Sequence, residues 1–395
     1  MANQTTTHAP VSVVPCADYD GGRVAEALNA VLAPIGGLDW VTEGMTVGIK
    51  ANLVSAMKPE ECATTHPALL CALTRMLRER GARVIIGDSP GGLYTPAFVE
   101  HVYAASGMNE TVAAGAELNR DYGQVDTAFP DARVLKSFTY TSWLDGCDAI
   151  INFCKLKSHG MMGMSAAAKN LFGVIPGTMK PEYHFRFPSM ADFAHMLVDI
   201  NDYFAPKVKL SLVDAVEGME GNGPTKGTPR HIGLLMASAS AHAVDVLGAH
   251  VMGLTVSDVP TLLAARERGL IPDSVEGLTL LLPDGVETPD VLVVRDFENV
   301  AVRRSHLFAS KGVWVSRLLG TLLSSRPALK ASDCVGCAKC ARICPAHAIE
   351  MKGGKAVINR SACIRCFCCQ EFCPTGAMKV HRTLVARLLV RNRKG

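Results

Sequence analysis

Five stretches of the chain are β-branched apolar runs that end in polar or glycine residues: TVGIKANL from Thr46, RVIIGDSP from Arg83, DAIINFCKLK from Asp148, VKLSLVDAVEGM from Val208 and HIGLLMAS from His231. Near-continuous apolar runs of this kind suit strands covered on both faces. Between them, apolar positions recur at helical spacing in GRVAEALNAVLAPIGG, HPALLCALTRMLRERG, SMADFAHMLVDINDYF and SAHAVDVLGAHVMG. Pro67 suits the first turn of the second of these helices, and Gly81 suits its end. The alternation predicts an α/β domain over residues 1–299, with a mixed or mostly parallel sheet flanked by helices.

The pattern then changes. Residues 300–331 are poorly periodic and partly basic, and read as a connector. Residues 332–380 are crowded with cysteine and read as a small ferredoxin-like domain. The last stretch, 381–395 (HRTLVARLLVRNRKG), is basic with Leu384, Leu388 and Leu389 on roughly one face, and reads as a C-terminal helix packed on its own protein.

A length of 395 residues leaves room for one large domain and a small appendage. Hydrophobic content of 48% with 19% charge describes a packed protein, and a net charge of +3 gives no nucleic-acid footprint. No run of about 18 apolar residues is present, so no transmembrane segment is expected. The start, MANQTTTHAP, lacks a basic region, an apolar core and a cleavage site, so a cytoplasmic location is expected. None of these patterns encodes the oligomeric state.

Of fourteen cysteines, Cys16, Cys62, Cys71, Cys147 and Cys154 are scattered, and nine lie between Cys334 and Cys373. Such crowding in a cytosolic chain points to metal and away from a disulfide scaffold. The nine contain a repeat: Cys334-x2-Cys337-x2-Cys340-x3-Cys344-Pro345, then Cys363-x2-Cys366-x2-Cys369-x3-Cys373-Pro374. In bacterial two-cluster ferredoxins, three cysteines of a run hold one cluster and the fourth serves the other. Two [4Fe–4S] clusters are therefore expected, one on Cys334, Cys337, Cys340 and Cys373, the other on Cys363, Cys366, Cys369 and Cys344. Structural zinc instead uses two CxxC knuckles joined by a longer loop. Cys368 falls between ligands and is expected to be a bystander.

In the large domain, polar residues gather at strand ends, where open α/β sheets place their sites. Lys50 and Asn52 end the first strong strand, and Asp88 follows the second with Ser89, Gly91 and Gly92. Lys155, Lys157 and His159 close the third. Lys169 and Asn170 lie in the loop that leads to Lys180, while Asp214 and Glu217 end the fourth strand. Taken singly, such residues read as solvated ion pairs that order loops. Taken together, Lys50, Lys155, Lys157 and Lys169 suit the binding of negative charge, with Asn52, Asp88, Asn170, Asp214 and Glu217 around them. His159 and His184 are the candidates for proton transfer, because imidazole titrates near neutrality. His66 reads as a helix cap and Cys154 as a small buried apolar residue. No GxGxxG, GxxxxGK[ST] or HExxH is present, so dinucleotide, P-loop and zinc-protease readings lose support.

The stretches VGIKANLV, THPALL, GDSPGG, INFCKLKSHG, AAAKNLFGVIPG and VDAVEGMEGNGP, within residues 46–245, resemble the family catalogued as domain of unknown function 362, often found with a trailing two-cluster ferredoxin. The resemblance implies an α/β domain joined to iron–sulfur electron transfer. The expectation is thus an iron–sulfur oxidoreductase. Electrons would enter from a soluble donor such as a ferredoxin and reach an anionic or carbonyl-bearing small molecule at the strand ends, with a flavin as a candidate second cofactor. Two alternatives stand beside it: an electron carrier that docks on another enzyme, and a non-redox isomerase or racemase whose clusters are structural or sense oxygen.

Overall fold

The computed structural model describes residues 8–299 and 325–381. In chain order the strands of the large domain are β1 (Val11–Pro15), β2 (Thr46–Lys50), β3 (Arg83–Gly87), β4 (Ala116–Leu118), β5 (Gln124–Ala128), β6 (Ser137–Thr141), β7 (Ala149–His159), β8 (Gly163–Ser165), β9 (Val208–Glu220), β10 (Thr228–Ser238) and β11 (Leu280–Leu281). β5 and β6 form a separate antiparallel hairpin. Among the described residues the others make one nine-stranded sheet of order β11-β1-β10-β9-β7-β2-β3-β4, with β8 folded back on β7. The central strands β9, β7, β2, β3 and β4 run parallel; β10 pairs antiparallel with β9, and β1 antiparallel with β10, at one side.

All five apolar runs are strands, and the four helical patterns are helices at Gly21–Leu32, Pro67–Glu79, Met190–Phe204 and Ala241–Val251. Their starts follow capping chemistry. Asp20, Ser189 and Ser240 each accept backbone N–H groups of the first turn, and His66 Nδ1 accepts from Ala68 N at 3.2 Å just ahead of Pro67. β7 is buried along its whole length, so its two faces feed two cores. Ile151 and Phe153 pack with Leu28, Leu69 and Leu73 on one side. Ile150, Cys154 and Leu156 pack with Phe193, Leu197 and Val244 on the other. Each such large side chain removed from water contributes about 1.5–3 kcal/mol, which is why the sheet is sandwiched.

The order of strands sets the place of the site. From β2 the chain steps outward to β3 and β4, then returns to lay β7 and β9 on the opposite side of β2. The direction of winding reverses between β2 and β7, and a crevice opens beyond the carboxyl ends of strands at such a point. Thr65 ties that opening together: its Oγ1 accepts from Asn52 N at 2.9 Å and donates to Phe153 O at 2.8 Å.

The cysteine-rich domain is built on two hairpin-like pairs, β12 (Arg326–Leu329) with β15 (Met378–His381), and β13 (Ile349–Lys352) with β14 (Lys355–Ile358). The pairing of β12 with β15 extends this domain to 326–381, so the end of the expected connector belongs to it. Residues 300–324 of the connector, and 382–395 of the expected C-terminal helix, lie outside the described residues. The sequence repeat reappears in the backbone. Gly336 and Arg365, Ala338 and Phe367, and His347 and Gly376 occupy equivalent repeat positions, and all six have positive φ between 48° and 72°. Four of the six carry side chains that disfavour this conformation, so the loops are held in it by the fold around them. Among the described residues no helix is long and apolar enough to cross a membrane.

Candidate functional site

A cavity of about 800 Å³ lies between the carboxyl ends of the central strands and the cysteine-rich domain. The large domain contributes Asn52, Asp88, Lys157, Lys169, Asn170, Lys180 and His184, and the small domain contributes Lys339, Arg342, Cys368, Glu371, Phe372 and Cys373. The domains are joined around it by specific contacts. Phe367 is 3% exposed and belongs to a core of the large domain. It lies with Val380 against Gly160, where an added Cβ would stand 3.1 Å from Val380 Cγ2. Gln370 Nε2 donates to Asn222 O at 2.8 Å, Thr225 Oγ1 donates to Glu371 O at 3.1 Å, and Val380 N donates to Asn222 Oδ1 at 3.2 Å. The GNGPTKG loop after β9 is thus a clasp on the small domain.

The basic residues of the strand ends divide into two kinds. Lys50 Nζ is 2.6 Å from Asp88 Oδ1 with both side chains buried, and Asp88 also accepts from Leu53 N and Ser89 N. Gly173 is required there, because any Cβ would collide with Asp88 Oδ1 and Lys50 Nζ. Lys155 Nζ is 2.6 Å from Asp214 Oδ2 and 2.7 Å from Tyr19 Oη, and Tyr19 donates to Asp214 Oδ1 and stacks on His66 at 3.5 Å. These two enclosed pairs order the strand ends. Glu217 lies 2.6 Å from His231 Nδ1 and is not on the cavity wall.

The other kind faces the cavity. Lys157 Nζ donates to Asn52 Oδ1 and Ala63 O, both at 2.6 Å. Burial pulls its pKa down to about 7, with Lys169 adding to the fall. Lys180 Nζ donates to Ser89 O and to Ile175 O, the latter at 2.8 Å, and burial likewise brings it to about 7. Lys169 has its Nζ 5.7 Å from the centre of the Phe172 ring. Burial lowers its pKa and the Glu371 charge opposes that. Asn170 donates to Asn152 Oδ1 at 2.8 Å and to Lys50 O, which fixes the loop that carries Lys169.

Two histidines meet one carboxylate here. His159 Nδ1 accepts from Met161 N and Met162 N, both at 3.1 Å, so its proton resides on Nε2. That nitrogen is 2.9 Å from Glu371 Oε1, and the N–H is not aligned for a full hydrogen bond. Burial and Lys169 bring His159 down to about 4, so it faces Glu371 as the neutral ring. Burial works against the Glu371 charge, but His159 and Lys169 outweigh it and hold the carboxyl at about 2. His184 stacks on Phe193 at 4.3 Å, and burial pulls it to about 3. Its Nδ1, like His159 Nε2 and Glu371 Oε1, has no hydrogen-bond partner among the described residues. His184 Nδ1, a buried polar atom of a wall residue, is the one of the three with no close polar neighbour, and such an atom is a place a ligand can complete.

Of the residues singled out in the sequence, the structure brings Asn52, Asp88, Lys157, Lys169, Asn170 and His184 onto one cavity, with Lys50 and His159 directly behind. Lys155, Asp214 and Glu217 are not on its wall. Glu371 was not among the expected residues, since it comes from the other domain. A signal existed: in the repeat, Glu371 aligns with Arg342, a reversal of charge at equivalent positions of the two cysteine runs.

The thiols fall into two groups. Cys334, Cys337, Cys340 and Cys373 line one small hollow. Cys344 lies close enough to Cys363 and Cys369 for their charges to interact. Among the described residues no three His, Cys, Asp or Glu side chains converge on one point, as a single tetrahedral ion would require. An all-thiol donor set with this spacing fits iron–sulfur clusters, in which each iron takes one protein thiolate.

Comparison with known proteins agrees with this division. The model of the family described as Domain of unknown function (DUF362) matches residues 47–250, and that of a 4Fe-4S dicluster domain matches residues 326–374. A thylakoid-associated protein of Synechocystis is 31% identical over 305 residues, covering 75% of this chain and 92% of that protein. Among solved structures, a Thermotoga maritima protein is 14% identical with a TM-score of 0.37, over 61% of each chain. The lactate racemase apoprotein of Thermoanaerobacterium thermosaccharolyticum is 10% identical with a TM-score of 0.38, over 64% of this chain and 58% of that one. Both likenesses span under two thirds of the solved chains, and at these scores neither bears on activity.

Proposed function

This chain belongs to the DUF362 family and carries a 4Fe-4S dicluster domain behind it, and from that premise we propose that it is an iron–sulfur reductase acting on a small molecule in the cavity between the two. The observation that carries the reading is the shared wall. Cys373 and Cys368 of the cysteine-rich domain line the same cavity as Lys157, Lys169 and His184 of the α/β domain. Cys334, Cys337, Cys340 and Cys373 would hold one [4Fe–4S] cluster, and Cys363, Cys366, Cys369 and Cys344 the other. When bound, such clusters supply electrons one at a time at low potential. Electrons would come from a donor such as a ferredoxin.

The chain's own residues bind and orient the substrate. Lys157, Lys169 and Lys180 hold negative charge on an anionic or carbonyl-bearing molecule. Phe372 of the small domain packs against Gly91 on the cavity wall, which limits water there so that each charge acts more strongly. His184, neutral and with a free Nδ1, is positioned to exchange a proton with a bound group.

The test is anaerobic mixing of the dithionite-reduced protein with a panel of carbonyl- and carboxylate-bearing compounds, following cluster absorbance. Reoxidation by at least one compound, lost in Lys157→Met, supports a reductase. Turnover of any compound with no reductant present would instead identify an isomerase. Reoxidation only by other redox proteins, unaffected by Lys157→Met, would identify a carrier.

A further inference from the structure

The cations at the strand ends are sorted by their partners. Lys50 and Lys155 each have a carboxylate at 2.6 Å. Lys157, Lys169 and Lys180, three of the five lysines on the cavity wall, have no carboxylate within ion-pair distance among the described residues. Lys157 gives two of its three N–H groups to Asn52 Oδ1 and Ala63 O, and Lys180 gives two to Ser89 O and Ile175 O. Each therefore keeps one N–H for something else. Holding an ammonium in an enclosed space with neutral acceptors alone is unfavourable unless an anion completes the set.

These lysines also sit at different places. Lys157 projects from β7 toward Asn52, whereas Lys180 follows the 171–179 loop and reaches the segment after β3 at Ser89. Lys169 is near enough to both for its charge to act on each of them. Glu371 enters the same cavity from the opposite domain. Lys157 and Lys180, each with an N–H to spare and each on a different segment of the wall, therefore offer two separate places for negative charge.

We propose that the cavity binds a small molecule with an anionic group at each end, a dicarboxylate or a phosphorylated carboxylate, one end held by Lys157 and the other by Lys180. The rest of the molecule then lies along the wall that Lys169 shares with them. This rests on the reading of the cavity as the reduction site, but it concerns binding alone and is tested apart from electron flow.

The experiment is calorimetric titration of the anaerobically purified full-length protein with malonate, succinate, glutarate and adipate, against acetate, propionate and butyrate, and with inorganic pyrophosphate. One dicarboxylate length should bind at least ~10-fold tighter than every monocarboxylate, the effect of one added charge contact of about 1.4 kcal/mol. Lys180→Gln and Lys157→Gln should each reduce it to the monocarboxylate level. Pyrophosphate tighter than all of them would keep the proposal and assign the ends to phosphates. Equal affinity across both acid series would overturn it, and because that ladder uses the unaltered protein, misfolding of a variant cannot obscure the result. Dianion binding to a protein whose reduced clusters are never reoxidised would keep this site and sink the reductase. Reoxidation by a neutral compound with a flat ladder would do the reverse.

Discussion

His159 Nε2 stands 2.9 Å from Glu371 Oε1, and this contact joins the end of the longest central parallel strand but one to the end of the short helix Cys368–Glu371. It is where the sheet and the cysteine-rich domain share a buried charge. His159→Phe would take the polar neighbour from the Glu371 carboxylate in an enclosed place, a loss of about 1–3 kcal/mol for a buried acceptor. We expect the small domain to undock, with faster amide exchange at Asn222–Thr225 and around Phe367. His159→Gln, which can still present an N–H, should retain protection there. Equal protection in all three proteins would show that this contact does not hold the domains together.

Lys50→Met should destabilise the large domain by about 3–5 kcal/mol, because Asp88 remains buried and charged without its partner. Lys50→Met with Asp88→Leu should recover part of that loss in denaturant titrations. A double variant no better than Lys50→Met would mean that the hydrogen bonds from Leu53 N and Ser89 N to Asp88 matter more than the ion pair.

Cys368 is buried and lies on the cavity wall. Cys368→Ala should keep the full iron content of the anaerobic protein, whereas Cys369→Ala should lose iron. Loss of iron in Cys368→Ala would move this residue into the ligand set and overturn the assignment made above.

Anion binding should depend on pH through Lys157 and Lys180, both at about 7 in the free site. Below 7 both ammoniums are present and affinity is level. Above 7 the free site has lost protons that the bound anion requires, so binding takes up protons and affinity falls with rising pH, by up to about one decade per unit per lysine. Titrations in buffers of different ionisation enthalpy measure that uptake directly. Proton release, or affinity that rises from pH 7 to 8.5, would contradict the assignment of these lysines as anchors.

Much of this was legible before any coordinates. The five long strands could be read because buried strands leave continuous β-branched runs. β4 and β11, of three and two residues, were too short for any period to show. The repeat Cys334–Pro345 and Cys363–Pro374 was legible because cluster chemistry needs fixed spacing. What the sequence did not show was partnership. Lys155 and Lys157 are two residues apart on one strand, yet Lys155 spends its charge on Asp214 while Lys157 faces the cavity, and only the register of β7 against β9 separates them. Glu371 was hidden for a related reason: its place in the site depends on how the small domain docks, through Phe367 against Gly160, and no local pattern records that.

The central claim is that the clusters and the cavity make one reducing site. It is tested most directly by measuring iron, sulfide, nickel and organic cofactor on a single anaerobically purified sample. The account predicts about eight iron and eight sulfide per chain, as two four-iron clusters require. Iron near zero in that sample would contradict it outright, and stoichiometric nickel would turn it toward the isomerase.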